Sequence, residues 1–256
     1  MSLLSVDGLR TRYETNGRVI NAVDGVSLEV GPGETVGLVG ESGCGKSTLG
    51  KTILRLLTPV EGSIRVFGNE ISDLGQFALL PFRRRMQMVF QDPIASLNPR
   101  MRVGGIVGEP LAIHEPQLSS QERAARTAEI LEAVGLGRDA VTRYPHEFSG
   151  GQRQRIGIAR ALILRPELVI ADEPVSALDV SVGAQILELL ARLQREFSLT
   201  LMLISHSLPV VAQLASRVAV MQTGRIVEIG AAEQVLQAPR HPYTQALLAA
   251  VPVIPE

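Results

Sequence analysis

The sequence predicts an α/β fold in which helices cover both faces of a mainly parallel β-sheet. Through the second half of the chain, short apolar strands alternate with helices whose apolar residues recur three or four positions apart. The segments 35–39, 168–171 and 200–204 are almost entirely apolar, which is typical of parallel strands buried on both faces. Hydrophobic residues make up 45% of the 256 positions, enough for a sizeable core.

Individual elements follow from apolar periodicity and from the positions of Gly and Pro. Strands are predicted at 3–9, 26–30, 35–39, 63–67, 86–90, 168–171 and 200–204. Helices are predicted after Gly45 as far as Pro59, at 120–134, from Ser149 to before Pro166, and at 182–196. We therefore expect a β-rich N-terminal region followed by alternating strands and helices.

The chain is predicted to have three parts. Residues 92–150 carry several prolines, among them Pro93, Pro99, Pro110 and Pro116, and a helical stretch, so they indicate an inserted, mostly helical subdomain. Residues 1–91 and 151–230 would form the core together with a β subdomain. Residues 231–256 would form a C-terminal tail, a helical pattern broken by Pro239 and Pro242.

Composition narrows the class of partner. The chain has 25 basic and 26 acidic residues and therefore a net charge of -1. This lack of a basic excess argues against nucleic acid as a binding partner. The basic clusters at 83–85 and 153–160 leave two readings open, solvated helix faces or a groove for a polyanion. No apolar run approaches the ~20 residues of a membrane helix, and the first residues do not resemble a signal peptide. At a membrane we would expect a partner to supply the span.

A phosphate-binding loop is predicted between the strand at 35–39 and the helix that follows it. The loop matches G-x-x-x-x-G-K-[ST] in full and consists of Gly40, Glu41, Ser42, Gly43, Cys44, Gly45, Lys46 and Ser47, followed by Thr48. Its backbone N–H groups and the positive end of the helix would bind an anion. We expect Lys46 to bridge the β- and γ-phosphates and the Ser47 hydroxyl to hold Mg²⁺.

Two residues of this loop are unusual in this composition. Every basic residue except Lys46 and Lys51 is arginine, and a compact ammonium fits between phosphate oxygens where a guanidinium would not. Cys44 is the single cysteine, so no internal disulfide is expected. Cys44 is either a small residue that fills space or a reactive thiol whose pKa is lowered by the helix N-terminus. The second reading predicts that alkylation of the thiol blocks ATP hydrolysis and that ATP bound beforehand prevents the alkylation.

An acidic pair follows the strand at 168–171. Ligands of open α/β sheets bind beyond the C-terminal ends of the strands, where Asp172 and Glu173 stand. We expect Asp172 to hold Mg²⁺ through water and Glu173 to polarise a water towards the γ-phosphate.

The segment Phe148, Ser149, Gly150, Gly151, Gln152 resembles the ABC signature, LSGGQ, with Phe in place of Leu. It opens a helix, so its N–H groups and Ser149 would form a second anion site. The resemblance implies a P-loop NTPase (RecA-like) core with an antiparallel β subdomain and an inserted helical subdomain. It also implies a dimer in which each phosphate loop faces the Ser149 segment of the partner subunit.

Other positions resemble family elements in chain order. Tyr13 resembles the aromatic residue that stacks on adenine, although an ordinary surface or core tyrosine is an alternative. Gln91 resembles the glutamine that touches Mg²⁺ and the attacking water and senses the membrane partner. Asp179 resembles the end of the D-loop at the dimer interface. His206 resembles the switch histidine at the γ-phosphate, with a structural histidine as the alternative, and Ser207 replaces the Asp that importers often carry.

Two segments, 91–101 and 240–247, are similar to ATPases of oligopeptide, dipeptide and nickel importers. This resemblance implies ATP and Mg²⁺ as ligands, two transmembrane permeases, a second ATPase subunit of the same or a related chain, and indirectly a solute-binding protein. It implies a peripheral position on the cytoplasmic face of the inner membrane. Longer members hold an iron–sulfur cluster in a cysteine-containing extension, and because no cysteine follows Cys44 we expect no cluster.

Two alternatives from other classes remain. A soluble ABC ATPase acting on DNA or the ribosome would carry long coiled coils or two cassettes, and neither is visible. A small P-loop kinase or GTPase would have no use for the segment 148–152 or for His206.

Overall fold

The computed structural model describes residues 2–15 and 17–250, and these form two compact units. The first comprises the described residues of 1–79 and 200–256, and the second comprises residues 80–199. The elements in chain order are β1 (Leu4–Thr15), β2 (Arg18–Val30), β3 (Thr35–Val39), α1 (Lys46–Ile53), β4 (Glu61–Val66), β5 (Asn69–Glu70), α2 (Leu80–Arg85), β6 (Met86–Val89), α3 (Pro93–Ser96), α4 (Val103–His114), α5 (Ser120–Ala133), α6 (Gly150–Leu162), β7 (Leu168–Asp172), α7 (Val180–Glu196), β8 (Thr200–Ser205), α8 (Leu208–Ala212), β9 (Arg217–Gln222), β10 (Arg225–Ala231), α9 (Ala232–Gln237) and α10 (Pro242–Ala249).

The first unit contains an antiparallel sheet in the order β2-β1-β4-β5. Strands β1 and β2 form a long hairpin that exceeds the predicted strands, which reached only 3–9 and 26–30. The outer part of the hairpin was missed because the first four residues of β2 are exposed. This part of β2 is held by backbone hydrogen bonds to β1 and does not pack against a core. Its sequence therefore shows no alternation of apolar and polar residues.

The first unit also contains four strands in the order β10-β9-β3-β8. β3 pairs in parallel with both β8 and β9, and β10 returns antiparallel to β9. Every residue of β3 and of β8 is buried, as the apolar segments predicted. The β9–β10 hairpin was not predicted from the sequence.

Helix α1 ends at Ile53, so the predicted end at Pro59 was wrong. Arg55 turns the chain with a left-handed φ of 54°. Its buried guanidinium donates to the carbonyl oxygens of Ile71 (3.1 Å) and Leu74 (3.2 Å). The apolar residues that follow Ile53 therefore continue the helical pattern without continuing the helix.

In the second unit, β6 and β7 pair in parallel and are accompanied by helices. Helix α5 begins with a capping box formed by Ser119 and Glu122, and it ends one residue before the predicted boundary. Helix α4 was not predicted, because three glycines and Pro110 obscure its period. The proposed division into a core, a helical subdomain at 92–150 and a tail stays a prediction.

The basic clusters are used within the second unit. The nearly buried carboxylate of Glu115 accepts bonds from Arg84 (2.7 Å) and Arg126 (2.6 Å), and the hydrogen bond from Arg84 and the charge of Arg126 lower the pKa of Glu115 against the effect of burial. Arg85 pairs with Glu167. In the second cluster, three guanidinium groups donate to backbone carbonyl oxygens of other residues. They belong to Arg153, Arg155 and Arg160. These contacts favour a structural role over a polyanion groove.

None of the described helices is both long and apolar enough to cross a membrane.

Candidate functional site

The predicted phosphate loop lies in the first unit between β3 and α1. Lys46 is the first residue of α1, and only 4% of it is exposed. Its Nζ donates to the carbonyl oxygens of Gly40 and Glu41, each at 2.8 Å. The loop thus curls around the ammonium group, and the N–H groups of the first turn of α1 have no intrahelical acceptor. Such a helix start attracts anions.

Gly45 is required at the N-cap of α1. Its φ is +109°, a conformation that other L-residues rarely adopt. A Cβ atom there would lie 2.0 Å from the backbone oxygen of Ala22 and 2.9 Å from Cε of Met221. The loop can therefore pass between these two groups only with glycine at this position.

The environment of Cys44 differs from the expectation that the helix start lowers its pKa. Burial raises the pKa of the Cys44 thiol and outweighs the opposing charge of Lys46. Of the two readings of Cys44, the thiol with a lowered pKa was therefore wrong, and the small filler remains. The contact with Lys46 is loose, since Sγ lies 3.8 Å from Nζ. The thiol is correspondingly less ionised at neutral pH than an ordinary cysteine.

Tyr13 stands beside the loop on the outer part of β1, where it pairs with Ile20 of β2. Its Oη lies 3.4 Å from Oγ1 of Thr48. Because 40% of Tyr13 is exposed, it is not a core residue, and its ring is available to a flat ligand.

His206 also belongs to the first unit. It follows the fully buried strand β8 and is exposed. The next residue, Ser207, donates its N–H to the Ser205 hydroxyl (3.0 Å), which bends the chain as it leaves the strand.

In the second unit the ends of the paired strands β6 and β7 bring two predicted residues together. Gln91 follows β6, and its Nε2 donates to Oε2 of Glu173 at 3.0 Å. Asp172 is the last residue of β7 and is 3% exposed. Glu173 is half-buried and has a left-handed φ of 45°, unusual for glutamate. The arrangement fixes a carboxylate next to an amide at the strand ends.

The signature-like segment opens α6 in the second unit. The Ser149 hydroxyl accepts from the N–H of Gln152 (3.3 Å), and the Gln152 amide oxygen accepts from the N–H of Ser149 (3.0 Å). A Cβ on Gly151 would meet Cγ1 of Val182 at 2.4 Å, so glycine allows α6 to approach α7. Phe148, which replaces the usual Leu, is 5% exposed and serves as the apolar anchor of the segment.

Asp179 caps α7. Its carboxylate accepts from the N–H of Val182 (2.9 Å) and the hydroxyl of Ser181 (2.8 Å), and these bonds lower the pKa of Asp179. Ser149, Gly150, Gln152 and Asp179 are all exposed. Their exposed backbone and side-chain groups could bind a ligand or another chain.

One contact of the phosphate loop was not foreseen. The N–H of Glu41 donates to Oη of Tyr243 at 3.0 Å, from α10. The segment 240–247 resembles importer ATPases, but nothing in its pattern of residues predicts a contact with the phosphate loop.

Comparisons with known proteins place the chain. A family model described as ABC transporter matches residues 23–176, more than half of the sequence. The chain belongs to the ABC transporter family. A second family model, described as oligopeptide/dipeptide transporter, C-terminal region, matches residues 227–256. This ABC protein is accordingly an ATP-binding subunit with ATPase activity.

Curated relatives cover nearly the whole chain. A putative oligopeptide transport ATP-binding protein of Bacillus subtilis, YkfD, is 50% identical over 99% of this chain and 77% of its own length. The oligopeptide transport ATP-binding protein OppF of the same organism is 49% identical over 98% of this chain and 83% of its own. The resemblance to this group is confirmed.

Solved structures confirm the predicted P-loop α/β fold. The dimeric structure of MJ0796, a bacterial ABC transporter cassette, has a TM-score of 0.82 and 31% identity, covering 90% of this chain and 98% of the other. A post-hydrolysis dimer of the same cassette, bound to ADP and Pi, gives the same TM-score at 30% identity, again covering 90% and 98%.

Proposed function

We propose that this chain energises the import of a peptide or a related small solute, nickel included, through partner permeases. The observation that carries the ATP-binding part of the proposal is the phosphate loop, in which Nζ of Lys46, at the start of α1, donates to two loop carbonyls. The names of its relatives, which are oligopeptide transport ATP-binding proteins, support peptide import over a soluble ABC ATPase.

The loop unit binds the nucleotide in this proposal. The backbone of residues 40–48 wraps the β-phosphate. Because its ammonium group has three donors, Lys46 keeps the Gly40 carbonyl as a partner and also donates to β- and γ-phosphate oxygens. The exposed ring of Tyr13 stacks on the adenine. His206, exposed at the end of β8, contacts the γ-phosphate.

The side chains assigned to Mg²⁺ fit that ion chemically. Magnesium takes hard oxygen ligands, and the Ser47 hydroxyl, the Asp172 carboxylate and the Gln91 amide oxygen are all of this kind. Because Nε2 of Gln91 donates to Glu173, its Oε1 is the atom left for a metal or for water. When bound, the ion neutralises negative charge on the phosphate oxygens.

Glu173 is the proposed general base. Its Oε2 is already oriented by Gln91, so the carboxylate can accept a proton from a water that attacks the γ-phosphate. Because Gln91 follows β6, a membrane partner that shifts this part of the chain would also shift the hydrogen bond from Gln91 to Glu173. We propose that the membrane partner influences the general base in this way.

A second ATPase subunit completes each site in this proposal. The start of α6 closes on ATP held by that subunit: Ser149, Gly150 and Gln152 are exposed there, and the buried Gly151 lies between them. Asp179 lies at the same interface in this proposal. Two transmembrane permeases and, indirectly, a solute-binding protein complete the transporter. The chain would sit peripherally on the cytoplasmic face of the inner membrane, and we expect it to carry no iron–sulfur cluster.

The base assignment is tested with Glu173→Gln. We expect phosphate release to fall about 100-fold or more, as for removal of a general base, while ATP binding is retained. The matched control is Glu188→Gln, which alters an exposed glutamate of α7 and should keep wild-type turnover. Wild-type phosphate release by Glu173→Gln would overturn the assignment.

The transport assignment is tested by reconstituting the chain with the membrane permeases that copurify with it and with a peptide-binding protein. ATP inside the vesicles should drive peptide uptake, and loaded binding protein should stimulate phosphate release. Stimulation by DNA or ribosomes, with no uptake, would instead favour a soluble ATPase.

A further inference from the structure

A single peptide unit links the C-terminal segment to the phosphate-binding lysine. The unit that joins Gly40 to Glu41 donates its N–H to Oη of Tyr243 at 3.0 Å. The carbonyl of the same unit, on Gly40, accepts from Nζ of Lys46 at 2.8 Å. Since a peptide unit is planar, the hydroxyl on one edge constrains the direction of the carbonyl on the other.

Tyr243 is itself held firmly. It lies in the first turn of α10, and its N–H donates to Nδ1 of His241 at 3.2 Å. The chain just before the helix is fixed by Glu228 of β10, whose carboxylate accepts from the N–H of Arg240 (2.9 Å) and of His241 (3.0 Å). Thr244, the next residue, is fully buried. The hydrogen bonds to Glu228 thus attach the start of α10, and with it Tyr243, to the β9–β10 hairpin, which belongs to the same unit as the phosphate loop.

The protonation state of Tyr243 suits an accepting role. Burial raises the pKa of the Tyr243 hydroxyl, so the group is neutral at physiological pH. A neutral hydroxyl accepts from a backbone N–H without bringing a negative charge towards a site that binds phosphates. Loss of the hydroxyl alone, as in Tyr243→Phe, would keep the ring and its packing.

We propose that Tyr243 is a positioning residue for the phosphate loop, holding the Gly40–Glu41 peptide so that Lys46 is directed for nucleotide. This rests on the proposed nucleotide site at residues 40–48. Tyr243 touches neither substrate nor reacting atoms in this role; it acts through the loop backbone. The C-terminal segment is therefore part of the nucleotide-binding apparatus.

The expected size of the effect follows from one hydrogen bond. A neutral bond of this type changes an equilibrium by roughly threefold to tenfold, so Tyr243→Phe should weaken ATP binding by about that factor. The hydrogen bond from Glu41 to Tyr243 should be equally strong in the ATP-bound state and in the transition state of phosphate cleavage. In Tyr243→Phe, KM for ATP should therefore rise while kcat changes by less than about twofold.

Thermodynamic linkage adds a reciprocal effect. If docking of α10 favours nucleotide binding, nucleotide must stabilise the docking of α10 by the same factor. Amide hydrogens of residues 243–250 should then exchange about threefold to tenfold more slowly with ATP than without it, and in Tyr243→Phe this nucleotide effect should disappear.

The experiment compares full-length wild type, Tyr243→Phe and Gln245→Ala. Gln245 lies on the same helix and donates to the Pro239 carbonyl (3.0 Å), so its variant loses one bond of the helix without touching the loop. ATP affinity, the kcat and KM for hydrolysis, and hydrogen exchange of α10 with and without ATP are measured for all three.

Weakened ATP binding with little change in kcat in Tyr243→Phe, and near wild-type values in Gln245→Ala, support the proposal. Equal ATP affinity in all three, or equal weakening in both variants, overturns it. Lys46→Ala separates this from the proposed function: if that variant binds ATP normally, the nucleotide site is misassigned, whatever Tyr243→Phe does.

Discussion

Replacing Glu228 by Gln tests how α10 is attached to the first unit. Glu228 is 9% exposed and receives the N–H groups of Arg240 and His241 on its two carboxylate oxygens. Gln keeps one accepting oxygen, but its –NH₂ group would face the other N–H. One charge-assisted hydrogen bond is therefore lost, which is worth about 1.5–3 kcal/mol.

That energy converts to a change in local opening. At about 1.4 kcal/mol for each factor of ten, the amides of α10 should exchange about 10- to 150-fold faster in Glu228→Gln at neutral pH. Hydrogen exchange read by mass spectrometry on peptides spanning 240–250 measures this directly. The control is Glu233→Gln, an exposed glutamate of the neighbouring helix α9.

Acid should act in the same direction on the wild type. Burial opposes ionisation of Glu228, but the hydrogen bonds it receives outweigh burial and lower its pKa below the ordinary value of 4.5. A carboxyl whose pKa is lowered by folding stabilises the folded state above its unfolded pKa and loses that effect as the pH falls through the folded pKa. Protection of α10 in the wild type, but not in Glu228→Gln, should therefore decline in acid.

Two outcomes would refute this reasoning. One is exchange of α10 that stays within threefold of wild type in Glu228→Gln. The other is an equal loss of protection in Glu233→Gln, which would show that α10 responds to any lost charge nearby.

Two further predictions concern the loop. Gly45→Ala should weaken ATP binding at least tenfold and cost about 1–3 kcal/mol of stability, because the new methyl would lie 2.0 Å from the Ala22 oxygen at a φ of +109°; an ATP titration and a melting curve like those of wild type would contradict this. Since burial raises the pKa of Cys44, a maleimide should label it more slowly than free cysteine at pH 7 and faster as the pH rises, with ATP slowing the reaction. Labelling at the rate of a free thiol at pH 7 would disprove the raised pKa.

Sequence patterns located the elements that are buried on both sides. The bounds of β3 were predicted to the residue, and β7 and β8 to within one, because a short apolar run between Gly, Pro or charged residues is compatible with little except a buried strand. The Ser149 cap of α6 was foreseen for a similar reason, since Ser followed three residues later by Gln satisfies the first N–H groups of a helix.

Other features leave no local trace in the sequence. The bond between Glu41 and Tyr243 joins residues 202 positions apart, and one partner is a backbone N–H that any residue would offer. The pairing of Gln91 with Glu173 depends on β6 lying beside β7, which only the topology of the sheet decides. The raised pKa of Cys44 depends on how deeply the loop is packed, and a motif does not report that.

The left-handed backbone at Glu173 sets stability against activity at one position. Glutamate pays about 1 kcal/mol or more for a φ of 45°, whereas asparagine enters that region more readily. Glu173→Asn should thus relax the turn after β7 while shortening and neutralising the side chain proposed as the base. In laboratory evolution that selects only for thermal stability, we expect Glu173 to be replaced. If the selection also requires ATP hydrolysis, we expect Glu173 to be retained.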